Sequence, residues 1–296
     1  MGEGVADPVV SVVIVNWNAG QALLGCLRSL HEHPPSVPWE IVLVDNASSD
    51  GSVAAAAMAY PSTRLITNRT NRGLPAANNQ GFVASRGEFV LVSNPDIVYS
   101  AGAVDALLAT LARHPRAAIA VPRMLYDDGA LHTSAGDLPT LVEALRGRQA
   151  QRRKAPGPSG MWWDGWAHDA EQRIGRGHEA SYLVRRAAIE EVGLQDERYR
   201  LDWEGADWHA RMGDAGWEAW FDPAAEVVHL GGASIRKAPA RWIVSSHRGM
   251  YRYFADRHPA WRPWLAPLVA ARAGIKLASL AARRDVYERG HRGGLT

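Results

Sequence analysis

The chain has 296 residues, of which 47% are hydrophobic and 22% are charged. A chain of this length forms one large α/β domain or two small domains, and the composition is typical of a globular protein. The single cysteine, Cys26, excludes an intramolecular disulfide and a cysteine-rich zinc site. Its leucine-rich neighbourhood predicts a small buried side chain rather than a reactive thiol.

Charge is distributed unevenly along the chain. Residues 236–296 contain 13 Lys and Arg against 3 Asp and Glu, a net charge of +10, whereas the remainder carries −8. A basic tail on an acidic body predicts an anionic partner for the tail. Its mixture of Trp, Leu and Arg is typical of an amphipathic helix on an anionic membrane surface, and equally of a basic helix packed on the domain.

The N-terminal residues do not indicate secretion. They lack the basic start of a secretory signal, and the apolar run at 9–15 has only the length of a strand. No run of about 18 uninterrupted apolar residues occurs, so a membrane-spanning helix is not expected. We expect a cytoplasmic protein, with or without contact to the cytoplasmic face of a membrane.

Short apolar runs alternate with helical patterns over the first 125 residues. The predicted strands are 9–15, 40–44, 64–67, 88–92 and 117–121. This alternation indicates an α/β fold with a Rossmann-like, mostly parallel sheet and helices on both faces. Ligands bind such sheets at the carboxyl ends of the strands. Three polar clusters fall there: Asn16-Trp17-Asn18, Asp45-Asn46 and Asn94-Pro95-Asp96.

The second half of the chain begins differently. Residues 137–178 are rich in Arg, Pro, Gly and Trp, which predicts a mobile loop or lid. After residue 179 the pattern predicts a strand, a helix over 186–192, a helix ending near Gly216 and a final strand at "EVVHLGG". No phosphate-binding P-loop, dinucleotide fingerprint or serine-hydrolase elbow is present. Nucleic-acid binding would depend on the tail charge alone and is not expected.

Six segments in order resemble the family 2 glycosyltransferases with the GT-A fold, especially their rhamnosyltransferase-like branch. The segments are "SVVIVNWNAG", "IVLVDNASSDGS", "NRGLPAANNQG", "LVSNPD", "WEGADW" and "VVHLGGAS". The resemblance implies a GT-A catalytic domain over 1–235 and a basic helical extension over 236–296. Within the domain it implies a nucleotide-sugar-binding half (1–125), a loop or lid (126–178) and an acceptor half (179–235).

The resemblance also implies which residues contact the donor. Asn16 and Asp45 match the positions that bind the nucleotide base and ribose, and the Asn-rich segment matches the part that closes on the nucleotide sugar. The expected nucleotide-sugar-binding residues are Asn16, Asn18, Asp45, Asn46, Asn71, Gly73, Asn78 and Asn94. An Asx turn at Asp45 and a helix cap at Asn71 are the structural alternatives.

"SNPD" matches the metal motif of the family. With only one acid in this motif, Asp96 would be the main protein ligand of a hard cation, Mg²⁺ or Mn²⁺. His229 falls where related enzymes supply a metal-binding histidine, and an imidazole ligand favours Mn²⁺. A purely structural histidine is the alternative at that position.

The general base is the main departure from the family pattern. The family carries an acid where this chain has Gly205, which cannot act as a base. Glu204 and Asp207 lie three residues apart and share a helix face, with Glu204 slightly favoured. Glu179 stands where the family usually has Gly, so it could line the acceptor pocket or be the base. Asp202 is a further option, and the alternative is that these acids only cap helices or pair with arginines.

The implied function is an inverting transfer of a sugar from a nucleotide diphosphate sugar, dTDP-rhamnose-like or a UDP-sugar, to an acceptor hydroxyl. The acceptor would be a sugar, a lipid-linked glycan precursor or a soluble small molecule. Gly205 motivates an alternative, a catalytically impaired nucleotide-sugar-binding or carbohydrate-binding protein. A basic surface-binding module is a third. The oligomeric state stays open, with a dimer among the options.

Overall fold

The computed structural model describes residues 7–146, 160–231 and 239–292, with side chains described up to residue 282. The chain divides into two compact units. The first comprises residues 1–200 and 204–231, and the second comprises residues 201–203 and 232–296.

The first unit alternates strands and helices, as predicted. Its strands are β1 (Val10–Asn16), β2 (Trp39–Asp45), β3 (Arg64–Thr67), β4 (Phe89–Ser93), β5 (Ile97–Tyr99), β6 (Ala117–Leu125), β7 (Leu131–His132), β8 (Ala135–Gly136), β9 (Gln172–Ile174), β10 (Arg176–Gly177), β11 (Ser181–Arg185) and β12 (Glu218–His229). Its helices are α1 (Gln21–Glu32), α2 (Ser52–Ala59), α3 (Leu74–Ala84), α4 (Ala103–Arg113), α5 (Leu141–Arg146), α6 (Arg186–Val192) and α7 (Glu204–Asp214).

Five strands end along one edge of the central sheet. Among the described residues the strand order is β3-β2-β1-β4-β11-β6-β12-β5, with β7 beside β6 and β9 beside β12. β1 is parallel to β2 and to β4. β11 is antiparallel to both β4 and β6, so β4 and β6 run the same way, and β12 is parallel to β6. The carboxyl ends of β1, β2, β4, β6 and β12 therefore share one edge.

The core lies on both faces of this sheet. Successive side chains of a strand point to opposite faces, and β1 shows this clearly. Val12 and Ile14 pack on the face that contains the leucine stripe of α1, whereas Val13 and Val15 pack on the face that contains Phe82 of α3. The mixed α/β fold with helices on both faces is confirmed. Because its strands are buried on both sides, they appear in sequence as continuous apolar runs.

Cys26 is a buried free thiol, as its leucine-rich surroundings predicted. Burial raises its pKa to about 12, although a hydrogen bond with Ser93 partly offsets this effect. The thiol is therefore neutral at physiological pH and has no nucleophilic role.

The predicted loop at 137–178 is partly folded. Residues 147–159 lie outside the described residues, but β9 pairs with β12 and β10 pairs with β8. Trp163 is 4% exposed and packs in the core on the α3 face. The expectation of a mobile lid therefore does not hold for the described part after residue 160. Strands of two or three residues lack a readable period, so the Gly- and Pro-rich composition was misleading there.

The second unit contains α8 (Pro239–Arg257), a 3₁₀ turn (Pro259–Trp261) and α9 (Arg262–Arg292). By length and composition the stretch Pro259–Ala282 is apolar enough to cross a membrane, with a mean hydropathy of 1.4 and 11% of its window buried. Length and composition make this stretch a candidate segment, and the prediction of no membrane-spanning helix stays a prediction. A search for uninterrupted apolar residues missed it because Arg272 and Lys276 interrupt the run.

Close packing of α3 on β1 gives a test of the fold. A Cβ at Gly81 would overlap the Val13 side chain, whereas a Cβ at Gly25, inside α1, would meet nothing within 4 Å. We expect Gly81→Ala to lower the free energy of unfolding by about 1–3 kcal/mol through overpacking. Gly25→Ala, the matched control, should raise it by up to about 1 kcal/mol through helix propensity. Urea denaturation measures both, and equal stability of the two variants would contradict this packing.

Candidate active site

The residues predicted from the strand ends lie together at the carboxyl edge of the sheet. Asn16 is in register with Asp45 at the ends of β1 and β2. Ile14 of β1 pairs with Ser93 of β4, so the "NPD" segment follows at the same edge. His229 ends β12 and pairs with Ile97, directly after Asp96.

Asn16 and Asp45 organise the loop after β2. The Asn16 side chain is fully buried, and its Nδ2 donates to Ser48 Oγ and Ser52 Oγ, both at 3.0 Å. Asp45 Oδ1 accepts from the Ser48 backbone N–H at 3.0 Å, which is the Asx turn foreseen as an alternative. Because one carboxylate oxygen is engaged in the turn, the other is the part of Asp45 that remains for a ligand. Burial makes Asn16 a support for this loop.

The backbone at this edge adopts unusual conformations. Asn18 has φ 53° and Ala47 has φ 69°, both in the left-handed region. Asn tolerates this region, but Ala rarely adopts it, and such strain is concentrated at functional sites. Asn18 Oδ1 accepts from the Ser49 N–H at 2.8 Å, and its own N–H donates to Ser48 Oγ at 3.0 Å. The ends of β1 and β2 are therefore fixed to each other by local hydrogen bonds.

Asn46 joins β2 to the segment before α3. Its Nδ2 donates to the Gly73 carbonyl at 3.2 Å, and its Oδ1 accepts from the Arg72 N–H at 2.9 Å. Asn71 Oδ1 in turn accepts from the Gly73 N–H at 3.0 Å. Gly73 has φ 92°, and a Cβ there would meet the Arg200 carbonyl at 3.0 Å, so glycine is required. Asn46, Asn71 and Gly73, which are predicted to bind the nucleotide sugar, therefore shape one loop at the crevice.

Asn78 has a structural partner. It is 3% exposed, and its Nδ2 donates to Gln195 Oε1 at 3.0 Å. Gln195 is itself 3% exposed and donates to Tyr182 Oη at 3.0 Å. Asn94 uses its backbone N–H to bond the Ala180 carbonyl at 2.7 Å. Asn78 thus ties α3 to β11 through Gln195, and Asn94 joins the end of β4 to the start of β11.

Asp96 and His229 face each other across the edge. Asp96 Oδ1 lies 3.4 Å from His229 Nε2, and the side chains are 19% and 9% exposed. The two atoms are close enough together that both would contact one divalent cation, and carboxylate and imidazole are both suitable ligands. Among the described residues no group of three His, Cys, Asp or Glu could hold a metal. Further ligands would come from a diphosphate and water.

Two histidines that the sequence did not single out in this role adjoin His229. His132 Nδ1 lies 3.2 Å from His229 Nδ1, so one of the two rings donates to the other. The His178 ring meets His132 edge-on with centroids 4.8 Å apart. Metal-binding histidines generally donate their second ring N–H to a fixed partner, which sets their orientation. His132 lies where such a partner of His229 would lie, and the pairing of short β7 with β6 places it there.

The predicted catalytic acids differ in their surroundings. Asp207 Oδ2 accepts from Arg211 Nε at 2.9 Å, and Arg211 also donates to the Val192 and Leu194 carbonyls. Asp207 thereby helps fix the end of α6. Glu204 begins α7 and is only 3% exposed. Asp202 belongs to the second unit, with φ 72°.

Glu179 lies against Gly205. A Cβ built at Gly205 would overlap the Cγ and Oε1 atoms of Glu179. Glu179 Oε1 accepts from Arg176 Nη2 at 2.9 Å, with side-chain exposures of 21% and 6% for Glu179 and Arg176. The Arg176 guanidinium lies 4.3 Å over the Trp162 ring. A carboxylate thus fills the space beside the glycine that replaces the family acid.

His209 fastens the start of α7 to β10. Its Nδ1 donates to the Gly205 carbonyl at 2.8 Å, and its Nε2 accepts from the Gly177 N–H at 3.1 Å. Burial lowers the pKa of His209 to about 4, so the ring is neutral at physiological pH. Gly205 is therefore held at a fixed distance from the strand that carries Arg176.

The fold is that of the GT-A glycosyltransferases. GalNAc-T7, solved with UDP, GalNAc and Mn²⁺, matches with a TM-score of 0.55 at 17% identity, over 76% of this chain and 44% of that one. A mannosyltransferase from Pyrobaculum calidifontis, solved with GDP-Man and Mn²⁺, matches with a TM-score of 0.55 at 18% identity. The match covers 93% of this chain and 80% of that one. At these identities the likeness concerns the fold alone.

Sequence comparison narrows the class to a family. The sequence model of the family described as "Glycosyl transferase family 2" matches residues 11–167 of this chain. The N-acetylglucosaminyl-diphospho-decaprenol L-rhamnosyltransferase of Mycobacterium tuberculosis (strain H37Rv) is 34% identical over 279 residues, 88% of each chain. This chain belongs to glycosyltransferase family 2 and is a rhamnosyltransferase-like enzyme. The predicted family, fold class and enzyme type are confirmed.

The Asn78–Gln195 bond separates a structural role from a donor contact. We expect Asn78→Ala to lower the unfolding free energy by about 1–3 kcal/mol, because it leaves a buried amide without its partner. Gln21→Ala, at an exposed helix position, is the control and should change little. Chemical denaturation measures both. If Asn78→Ala keeps full stability but weakens nucleotide-sugar binding, Asn78 is a donor contact as the family resemblance implied.

Proposed function

We propose that this enzyme transfers a deoxyhexose of the rhamnose type from a nucleoside diphosphate sugar to a hydroxyl of a lipid-linked sugar diphosphate, with inversion. The observation that carries the proposal is the convergence of Asp45, Asp96 and His229 at one sheet edge. Such an edge binds nucleotides in open α/β sheets. The rhamnosyl group and the lipid-linked acceptor are taken from the printed name of the 34% identical mycobacterial relative.

The crevice residues suit such a donor. A carboxylate oxygen of Asp45 can accept the ring N–H of uracil or thymine, and the loop shaped by Asn46 borders the same space. Asp96 and His229 would hold a divalent cation, with His132 orienting His229. The bound cation would neutralise negative charge that develops on the departing diphosphate. A mixed carboxylate and imidazole donor set favours Mn²⁺ over Mg²⁺.

Donor binding is tested by thermal shift with a panel of nucleotide sugars. We expect dTDP-rhamnose or a UDP-sugar with Mn²⁺ to raise the melting temperature, because a ligand at 100 times its Kd stabilises the fold by about 2.7 kcal/mol. Asp96→Asn should abolish the Mn²⁺-dependent part of the shift. The control Asp127→Asn, at an exposed position, should retain it. A chain that no nucleoside diphosphate sugar stabilises would contradict the proposed donor class.

The outward face of α9 supports membrane contact for the second unit. Trp264, Leu268 and Ile275 are 45%, 40% and 68% exposed, and their spacing of four and seven residues places them on one helix face. Lys276 and Arg272 point toward the other face, where Arg272 Nη1 donates to His247 Nε2 of α8 at 2.6 Å. Burial, followed by the charge of Arg272, lowers the pKa of Lys276. An apolar outer face on a segment of net charge +10 fits an anionic bilayer surface.

Vesicle co-sedimentation tests this contact. We expect the full chain to bind vesicles with anionic lipid, more weakly as salt rises, since surface charges are screened. The variant Trp264→Ser/Leu268→Ser/Ile275→Ser should bind at least about tenfold more weakly, since it loses most of the apolar face. The control Met58→Ser/Val83→Ser changes residues 85% and 74% exposed on the first unit and should bind normally.

Two outcomes would contradict surface contact. If the triple variant and the control bind equally, the α9 face is not the contact. If the protein expressed in cells stays in the membrane after an alkaline carbonate wash, the stretch Pro259–Ala282 spans the bilayer instead.

A further inference from the structure

We propose that Glu179 is the general base of this enzyme. Position 205 is then a glycine because the carboxylate comes from the segment before β11 rather than from α7. The inference rests on the proposed sugar transfer and assigns the residue that removes the acceptor proton. It also answers the alternative of an impaired enzyme, since a carboxylate would still occupy the site.

One volume can hold a carboxylate from either of two positions. A side chain at position 205 would overlap Glu179 Cγ and Oε1, so positions 179 and 205 cannot both bear large side chains. The family resemblance implies the reverse pairing, glycine at 179 and an acid at 205. By that resemblance the two residue types are exchanged in this chain, and Glu179 fills the space that a side chain at position 205 would enter.

Exposure separates Glu179 from the other acids. The Glu179 side chain is 21% exposed, whereas Glu204 is 3% exposed and is enclosed at the start of α7. Asp207 is bound by Arg211, whose further bonds to the Val192 and Leu194 carbonyls hold it in place. A base must reach the proton that it removes, within about 3.2 Å or through one water. The Glu179 side chain, 21% exposed, is also more open than that of Asp207, 15% exposed, so we assign the approach of the acceptor hydroxyl to Glu179.

The neighbours of Glu179 fix its carboxylate. Arg176 Nη2 donates to Glu179 Oε1, and the Arg176 guanidinium stacks on the face of the Trp162 ring. His209 joins Gly205 to Gly177, one residue from Arg176, so the glycine and the arginine keep their spacing. With Oε1 bound to Arg176, Oε2 is the atom assigned to receive the proton.

The step balances as a direct displacement. The acceptor oxygen forms its bond to the anomeric carbon as the acceptor O–H proton passes to Glu179 Oε2. The bond between the anomeric carbon and the donor's phosphate oxygen breaks, and its electron pair leaves on the nucleoside diphosphate. Attack opposite the leaving group inverts the anomeric centre, and the Glu179 proton is lost to solvent afterwards.

The first test removes the base. We expect Glu179→Gln to reduce kcat for nucleoside diphosphate release by 10²- to 10⁴-fold with donor KM and donor-induced thermal shift nearly unchanged. Glu179→Asp should recover part of the rate, and Glu190→Gln, at an exposed position of α6, is the control. The acidic limb of the wild-type kcat–pH profile should disappear in Glu179→Gln.

The second test moves the carboxylate back. Glu179→Gly should be as inactive as Glu179→Gln, and Glu179→Gly/Gly205→Asp should turn over at least about tenfold faster than Glu179→Gly. Gly205→Asp alone should lower the melting temperature by several degrees, whereas the same change in the Glu179→Gly background should not. That non-additivity reports the shared space without any activity measurement.

The outcomes separate this inference from the proposed function. If wild type turns over donor and Glu179→Gln keeps the rate of Glu190→Gln, Glu179 is not the base, although the enzyme still transfers sugar. If Gly205→Asp is equally destabilising with and without Glu179, the two positions do not share a space and the exchange is refuted. A wild-type chain that neither binds nor turns over any nucleoside diphosphate sugar would overturn both proposals.

Discussion

The site depends on how the strands of the central sheet pair. β1 and β2 must keep their register, and β1, β4 and β12 must run in the same direction. Asn16 pairs with Asp45, and Asp96 and His229 reach the same edge only because β11 reverses direction between β4 and β6. A one-residue slip of a strand would turn its side chains to the opposite face. The residues proposed to bind ligand therefore owe their positions to the pairing of apolar residues elsewhere in each strand.

The crevice residues divide into those that we propose contact a ligand and those that hold the edge in shape. Asn16, Asn46 and Asn78 are buried and hydrogen-bonded within the protein. Asp96 and His229 face each other without a protein group between them. A family motif marks both kinds alike, because a misplaced loop and a missing ligand each abolish binding. The distinction appears only when the partners of each side chain are known.

Sequence periodicity predicted most of the first unit. The strand at 64–67 and the helix at 186–192 have the predicted bounds. The short strands β7 to β10 were missed, since their positions come from pairing with distant strands and two or three residues show no period. His132 and Arg176 lie on those strands. For that reason, motifs in the sequence did not identify these neighbours of His229 and Glu179.

Gly205 shows where motif reading fails most instructively. At the level of sequence, a glycine in place of the acid implies lost catalysis. In three dimensions the requirement is for a carboxylate in a particular volume, and Glu179 already fills the space that a side chain at 205 would enter. Under the proposed exchange, the loss of an acid at position 205 and the gain of one at position 179, 26 residues away, would be a single change. A motif records which position usually supplies a group, whereas the chemistry requires only that the group be present and reachable.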